Sequence, residues 1–157
     1  MQPNLQVTIR PAVADDLPVI HALVRELAIY EKAEAEFTAD LALYRRNFAQ
    51  DVFRAHVAEA DGQIIGMALY YLTFSTWKGR MLYLEDFVVR RDYRRRGVGQ
   101  RLFDAYVATA KAMNCALAKW QVLDWNAPAV AFYEQNGATI EREWWNGKIV
   151  FEQAETT

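Results

Sequence analysis

Residues 81–99 read Met-Leu-Tyr-Leu-Glu-Asp-Phe-Val-Val-Arg-Arg-Asp-Tyr-Arg-Arg-Arg-Gly-Val-Gly, and this stretch decides the fold. Its first nine residues are β-prone and apolar on both faces, which is typical of a central strand. Apolar residues then recur at near-helical spacing from Gly97 to Met113, and Ala116 to Leu123 is again β-prone. A strand, a helix and a second strand in this order predict a parallel pair of strands.

The turn between that strand and that helix is basic and contains two glycines. Successive backbone N–H groups at a helix start point at one spot, where the helix dipole favours an anion. Gly97 and Gly99 lack the Cβ atoms that would keep a pyrophosphate away from the backbone, and the preceding arginines can neutralise its charge. The turn therefore predicts a phosphate cradle, with a solvated basic bend as the alternative. A Walker lysine is absent, and Leu102 replaces the third glycine of a dinucleotide-binding turn.

The rest of the chain alternates strands and helices around this centre. A short strand at Val7 to Ile9 precedes a helix from Leu17 and a second helix from Thr38. Asp61-Gly62 and Asn146-Gly147 predict two hairpins, over 54–72 and 139–153, and a further helix runs from 127 to 136 between Asn126 and Gly137. The predicted order is β-α-α-β-β-β-α-β-α-β-β, a mixed α/β sheet in a single domain over residues 1–157.

Composition narrows the classes of protein to be considered. The 157 residues carry a formal net charge of -2, so the chain has no overall attraction to nucleic acid or to an anionic membrane. Cys115 is the only cysteine, which rules out an intrachain disulfide and a cysteine-rich zinc module and favours the cytoplasm. His21 and His56 lack metal-ligand spacing, and we expect no metal. No leader segment or membrane span is predicted.

Several motifs, in the correct order, resemble the GNAT family of acyl-CoA-dependent N-acetyltransferases. Arg94, Gly97 and Gly99 match its Arg/Gln-x-x-Gly-x-Gly/Ala cofactor motif. Further matches are Ile-Arg-Pro-Ala at 9–12, Leu-Tyr-Leu-Glu-Asp-Phe at 82–87, Trp-Asn-x-Pro at 125–128 and Phe-Tyr-x-x-x-Gly-Ala at 132–138. Tyr70-Tyr71, Trp77 and Gly79 make the chain most similar to the branch that acetylates spermidine, spermine and thialysine.

The resemblance implies an α/β fold with a central twisted sheet of about seven strands, flanked by four helices. Strands 4 and 5 splay apart in a V, and acetyl-CoA lies in the opening against the backbone of the fourth strand. The cofactor residues it implies are Phe87, Val88, Val89, Arg94, Arg95, Arg96, Gly97, Val98, Gly99, Gln100, Asn126 and Tyr133. It also implies a homodimer.

Two residues are candidates for the chemistry. An alkylamine is mostly protonated at neutral pH and must lose a proton before it attacks a thioester, and Glu85 can take that proton directly or through water. The other interpretation of Glu85 is a strand residue that faces solvent or pairs with an arginine. Tyr133, matched to the family's tyrosine, can assist the departing thiolate, or it is a core aromatic residue. Strand alternation puts Asp86 on the opposite face from Glu85, in a more structural position.

The acceptor substrate is the part of the expected function that the sequence defines least. Glu31, Glu34 and Glu36 follow the first helix, where the family builds one wall of the acceptor cleft, and their charges can attract a cationic amine or are only solvated. With these, Trp77, Glu85 and Asp86 complete the acceptor candidates. Ser75 stands where the polyamine enzymes carry an aspartate, so a polyamine, a diamine and a lysine analogue are all open. Alternatives are an acyl-CoA-binding sensor without turnover and an acetyltransferase for amino-acid or protein amines.

Overall fold

The computed structural model describes residues 4–153. Its sheet has five strands, which lie side by side in chain order, and four α-helices accompany it within that range. The elements are β1 Val7–Pro11, α1 Leu17–Tyr30, α2 Leu41–Ala49, β2 Arg54–Ala60, β3 Gln63–Ser75, β4 Gly79–Val89, α3 Val98–Ala112, β5 Leu117–Trp120 and α4 Ala127–Gln135. Strands β1 to β4 are antiparallel neighbours, whereas β4 and β5 are parallel. The mixed sheet and the parallel pair are as predicted.

The chain divides into two compact units. Residues 1–121 hold the whole sheet with α1, α2 and α3, and residues 122–157 hold α4 and the segment after it. The single domain over 1–157 stays a prediction. Among residues 4–153, no helix is both long and apolar enough to cross a membrane.

In the first unit, α1 and α3 pack on opposite faces of the sheet. Leu17, Ile20 and Leu23 of α1 form one buried cluster with Val57, Met67, Leu69 and Val88. Val98 and Leu102 of α3 form the other with Ala58, Ala60 and Ile65. Gly66 allows α3 to approach, because a Cβ atom there would lie 2.8 Å from the Val88 carbonyl oxygen and 3.2 Å from Leu102. The sheet therefore has an α1 face and an α3 face.

The predicted final hairpin is wrong for this chain. Residues 139–153 form no strand in the structure, so the described sheet has five strands rather than about seven. Large apolar side chains of this segment are exposed: Trp144, Trp145, Ile149, Val150 and Phe151. An Asn-Gly turn sets the shape of a hairpin, but two strands alone are marginally stable unless they pair with a further sheet edge. The Asn146-Gly147 turn signal was therefore not sufficient to form strands over residues 139–153.

Candidate active site

The two parallel strands separate after a short contact. β5 pairs with β4 only from Met81↔Leu117 to Leu84↔Trp120, while β4 continues to Val89 along its other neighbour, β3. This is the splay that the resemblance implies. From Glu85 onward, the edge of β4 on the β5 side is therefore where an extended chain can pair with backbone groups. Phe87, Val88 and Val89 lie on this stretch, and their cofactor contacts stay a prediction.

The turn from β4 to α3 has the backbone features of an anion-binding turn. A 3₁₀ turn at Arg91–Tyr93 is followed by Arg95 and Gly97 in the left-handed region, at φ 61° and 78°. Gly97 is the N-cap of α3 and has no side chain to satisfy the first N–H groups of the helix. Arg94 is held in place, since its Nε donates to the Val89 carbonyl oxygen at 2.9 Å and its guanidinium lies 6.0 Å from the Tyr30 ring centroid. These features suit a pyrophosphate.

The two glycines of the turn, Gly97 and Gly99, differ in their surroundings. A Cβ atom on Gly97 would meet nothing within 4 Å, so it would project into open space. A Cβ atom on Gly99 would instead lie 3.7 Å from Phe87 and 3.8 Å from Val89, toward the strand. The space beside Gly97 is therefore where a ligand can approach the backbone, whereas a Cβ atom on Gly99 would only make ordinary van der Waals contacts with β4. Val98 is buried in the core, so only its backbone faces the turn.

A cleft of about 360 Å³ adjoins this turn. Its lining comes from α1, through Glu26, Leu27 and Tyr30, and from the continuous stretch 88–94. The volume lies in the range of small-molecule sites. Glu26 and Arg90, on its two walls, are 3.6 Å apart and partly neutralise each other. The cleft thus joins the end of β4 to the phosphate turn, and the residues present fit a coenzyme A phosphate chain.

A β-bulge in β4 determines the direction of two carboxylates. Asp86 is opposite Leu69 and Leu84 is opposite Tyr70, so Glu85 has no residue opposite it. Leu69 belongs to the α1 cluster, which puts Asp86 on the α1 face. Glu85 faces the same way, because its Oε2 accepts a hydrogen bond of 2.9 Å from the Tyr71 hydroxyl. The expectation from strand alternation, with Asp86 on the opposite face, is wrong, since a bulge adds one residue and resets the alternation.

Tyrosines surround this carboxylate pair. Tyr71 and Tyr83 are opposite each other on the antiparallel strands, with ring centroids 5.4 Å apart and nearly stacked. Tyr44 of α2 faces both carboxylates, and burial together with their charges raises its pKa to about 12. Burial, then the charges of Glu85 and Glu31, raises the pKa of Asp86 to about 7. The site is a partly desolvated pocket that favours an incoming positive charge.

The other acidic candidates differ in their surroundings. Glu31, just after α1, is half-buried, and this burial raises its pKa. Glu34 is exposed and pairs with Arg25 at 3.3 Å, and Glu36 is exposed on the same 3₁₀ turn. Only Glu31 therefore adds its charge to the pocket of Glu85 and Asp86 in the contacts described. Trp77 is 85% exposed at the tip of the β3–β4 hairpin, where the Ser75 hydroxyl accepts from the Lys78 N–H at 3.2 Å.

The two remaining candidates lie in the second unit. Asn126 is the N-cap of α4, and its side chain accepts from the Ala129 N–H at 3.3 Å. Tyr133, in the middle of α4, is only 6% exposed and packs edge-on against Phe132 at 5.6 Å. Their catalytic and cofactor roles stay predictions. Gln100 lies on the exposed side of α3 and donates to Asp104, and Arg95 and Arg96 are exposed.

Sequence reasoning missed Tyr71 and Tyr44 as parts of the site. Tyr71 was available in principle, because the hairpin register carries it to Tyr83, two residues before Glu85. Tyr44 lies on α2, and nothing in the local sequence shows which strand its side chain meets. The histidines have local partners: His21 Nε2 lies 2.8 Å from the Ala39 carbonyl oxygen, and His56 Nδ1 lies 2.9 Å from the Tyr70 hydroxyl.

Comparisons with known proteins agree with this geometry. The family model described as acetyltransferase (GNAT) family matches residues 19–138. A thialysine N-epsilon-acetyltransferase of Bos taurus is 36% identical over 152 residues, which cover 89% of each chain. A human spermidine/spermine N(1)-acetyltransferase-like protein 1 is 34% identical over 83% of this chain and 20% of its own length. An aminoglycoside acetyltransferase from an uncultured soil metagenomic sample has the same fold, with a TM-score of 0.78 at 19% identity over 93% of this chain and 97% of that one.

Proposed function

The chain belongs to the GNAT family of acetyltransferases, which use acetyl-CoA, and we propose that its acceptor is the primary amine of a small cation. The acceptor classes are a lysine analogue, a diamine or a polyamine. The observation that carries this proposal is the position of Glu85 and Asp86 on the α1 face of β4, beside the point where β4 and β5 separate. A thioester in the splay and an amine at these carboxylates would meet there.

The charge of the pocket supports a cationic acceptor. Glu31, Glu85 and Asp86 all act on it, and the charges that shift the pKa of Asp86 are both negative. No group of three or more metal-ligating side chains among residues 4–153 is arranged to hold a metal ion. An ammonium group would neutralise part of the negative charge of these carboxylates, and the tyrosine faces offer it a favourable surface.

The proposed reaction is direct attack in a ternary complex. Acetyl-CoA supplies the activated acetyl group, held by the β4 edge and the turn at 94–99. The pocket orients the ammonium and accepts its proton, with Glu85 as the group nearest the separation of the strands. Tyr133 assists the departing thiolate, a role that rests on the family resemblance alone.

The names of the relatives favour a lysine analogue within this class. Three of the mammalian relatives are thialysine N-epsilon-acetyltransferases, 34–36% identical to this chain. Ser75 stands where the polyamine enzymes carry an aspartate near the tryptophan. This chain therefore lacks one negative charge that could hold a distal amine. We therefore place thialysine and short diamines ahead of spermine.

A panel of acceptors tests the proposal. The purified protein is incubated with acetyl-CoA and one amine at a time, and free thiol is measured. Thialysine, lysine, a short diamine, spermidine, a neutral-chain amine and a lysine-containing peptide distinguish the classes. Turnover with the small cations supports the proposal. Turnover with the peptide alone would favour a protein acceptor, and acetyl-CoA binding without any turnover would favour a sensor.

We propose in addition that the protein is a cytoplasmic homodimer. The five exposed apolar side chains between Trp144 and Phe151 form a segment that a second copy can bury. A single cysteine is consistent with a reducing compartment. Analytical ultracentrifugation tests the dimer: a monomer at all concentrations would refute it, and substitution of Ile149 and Phe151 by serine should weaken a real one.

A further inference from the structure

We propose that Asp86 is a catalytic carboxyl that accepts the ammonium proton of the acceptor, while Tyr71 holds Glu85 beside it. This inference rests on the proposed acetyl transfer and assigns the proton to one of two carboxylates. Strand alternation alone predicts Asp86 on the face opposite Glu85, in a more structural position, and the bulge changes that.

Geometry makes the two carboxylates neighbours in space. In a regular strand, consecutive side chains lie on opposite faces. The bulge leaves Glu85 without an opposite residue, so Glu85 and Asp86 both face α1. The other bulge of the sheet behaves in the same way, since Ile65 joins the α3 cluster and a Cβ atom on the next residue, Gly66, would also meet α3. The shared direction is therefore a property of the backbone.

Hydrogen bonding distinguishes the two. Glu85 is exposed, and one of its oxygens already accepts from Tyr71. The Tyr71 ring is fixed by its stacking on Tyr83, so this hydrogen bond orients the carboxylate. Asp86 lies deeper and accepts no hydrogen bond from the protein in the part of the chain that the structure describes. Its oxygens are those available to an acceptor ammonium.

Charge favours Asp86 as the proton acceptor. The groups that interact with it are Glu85 on β4, Tyr71 on β3, Tyr44 on α2 and Glu31 after α1, while Tyr83 on β4 faces Glu85. His21 contacts the Tyr44 ring, with ring centroids 4.9 Å apart, and its Nε2 lies 2.8 Å from the Ala39 carbonyl oxygen. Burial, Glu85 and Glu31 bring the pKa of Asp86 to about 7, close to the value at which a base works best at neutral pH.

The proton balance of the step is complete. The acceptor R–NH₃⁺ gives a proton to the Asp86 carboxylate and becomes R–NH₂, which forms a C–N bond to the thioester carbon. As the C–S bond breaks, the nitrogen loses a second proton and the thiolate gains one to become CoA–SH. Asp86 then releases its proton to solvent. The net products are R–NH–acetyl, CoA–SH and one H⁺.

The test is the pH dependence of kcat/KM for Asp86→Asn, with Asp86→Glu as the rescue. In the parent protein, the rate should fall on the acid side with a midpoint near pH 7. Asp86→Asn should lose about 10²-fold or more in kcat and lose this acid limb, because the titrating base is gone. Asp86→Glu, which restores a carboxyl, should recover part of kcat and an acid limb. The control is Asp61→Asn at the β2–β3 turn, where φ of 52° suits asparagine.

Calorimetric binding of acetyl-CoA separates loss of fold from loss of chemistry, and it should be unchanged in Asp86→Asn. If the parent acetylates small cations and Asp86→Asn keeps its acid limb and its kcat, the assignment to Asp86 is wrong while the proposed function stands. If Asp86→Asn is inactive but Asp86→Glu recovers nothing and both lose acetyl-CoA binding, the role is structural and the inference fails. If the parent itself shows no amine-dependent thiol release, the proposed function fails first.

Discussion

Glu85 and Asp86 are consecutive residues of β4, and their side chains lie on the same face of the sheet. The bulge responsible lies immediately after Leu84, the last residue of β4 that pairs with β5. The backbone therefore separates from β5 and turns two carboxylates toward α1 over the same short stretch. The strand separation and the two carboxylates therefore lie at the same point of β4, where we propose that the thioester and the amine meet.

Gly97 should matter to acetyl-CoA in a way that a matched glycine does not. Gly97 and Gly62 have φ of 78° and 73°, and a Cβ atom on either would meet nothing within 4 Å. Alanine at either position should cost a similar amount of stability, about 1 kcal/mol. Only Gly97→Ala should weaken acetyl-CoA binding in calorimetry, by about tenfold or more, because its Cβ occupies the space above the helix start. Equal affinity in the two variants would remove the cradle assignment.

Tyr71 should act as a positioning residue for Glu85. Tyr71→Phe removes the 2.9 Å hydrogen bond and keeps the ring stacked on Tyr83. We expect kcat to fall by about tenfold or more with little change in KM for the amine, since one hydrogen bond to a charged group is worth about 1.5 kcal/mol or more. Tyr83→Phe keeps the stacking and the bond to Glu85, and its kcat should be near the parental value. A rise in KM without a fall in kcat would contradict positioning.

Glu85 and Glu34 should differ in the kind of defect they produce. Glu85→Gln removes a carboxylate at the reacting end, so kcat should fall and the pH–rate profile should change, by up to about 10²-fold in rate. Glu34→Gln removes an exposed carboxylate already paired with Arg25, so KM for the amine should rise less than about tenfold. Steady-state kinetics across pH distinguish the two. A parental rate and pH profile in Glu85→Gln would exclude Glu85 from the reaction.

Tyr133→Phe tests the family-based assignment. Loss of a positioned acid should lower kcat by about 10²-fold or more, while acetyl-CoA affinity stays nearly the same. Circular dichroism checks that α4, in which the side chain is buried, is intact. Full activity in the folded variant would leave Tyr133 with a packing role and no part in the chemistry.

The Arg10–Asp16 pair should contribute to stability above acidic pH. Arg10 donates two hydrogen bonds to the nearly buried Asp16 carboxylate, at 2.8 and 3.0 Å, and the Val13 N–H adds a third. The Arg10 hydrogen bonds lower the pKa of Asp16, so the stabilisation is present above its unfolded value of about 3.9 and is lost as pH falls through the folded value. Asp16→Asn should lose about 1–3 kcal/mol at pH 7 in urea unfolding. The difference in the free energy of unfolding between Asp16→Asn and the parent should become smaller below about pH 4.

The neighbouring residue provides the comparison for that experiment. Asp15 is exposed, so Asp15→Asn should change the free energy of unfolding by no more than about 0.5 kcal/mol. A gap between Asp16→Asn and the parent that stays constant on acidification would show that the charge of Asp16 is not what stabilises the fold.

The sequence predicts the strands and helices that position the site better than it predicts the side chains that meet inside it. Periodicity and the Gly97 turn locate β4, α3 and the parallel pair, because each is determined by residues close together in the chain. The bulge at Glu85 was not predictable in this way, since it depends on the register of β4 against β3. Tyr44 was likewise missed, because its approach to Glu85 and Asp86 follows from how α2 lies on the sheet. The prediction of a hairpin at 139–153 was wrong for the opposite reason. Its local turn signal is strong, but the segment has no strand partners in the structure.

The most direct test of the account is a two-substrate kinetic measurement. Initial rates of thiol release are recorded while acetyl-CoA and thialysine are varied together, and the acetylated amine is quantified in the same samples. Direct attack in a ternary complex predicts intersecting double-reciprocal lines and one acetylated amine per thiol released. Parallel lines would indicate an acetylated enzyme intermediate, and thiol release that does not depend on the amine would contradict acetyl transfer at this site.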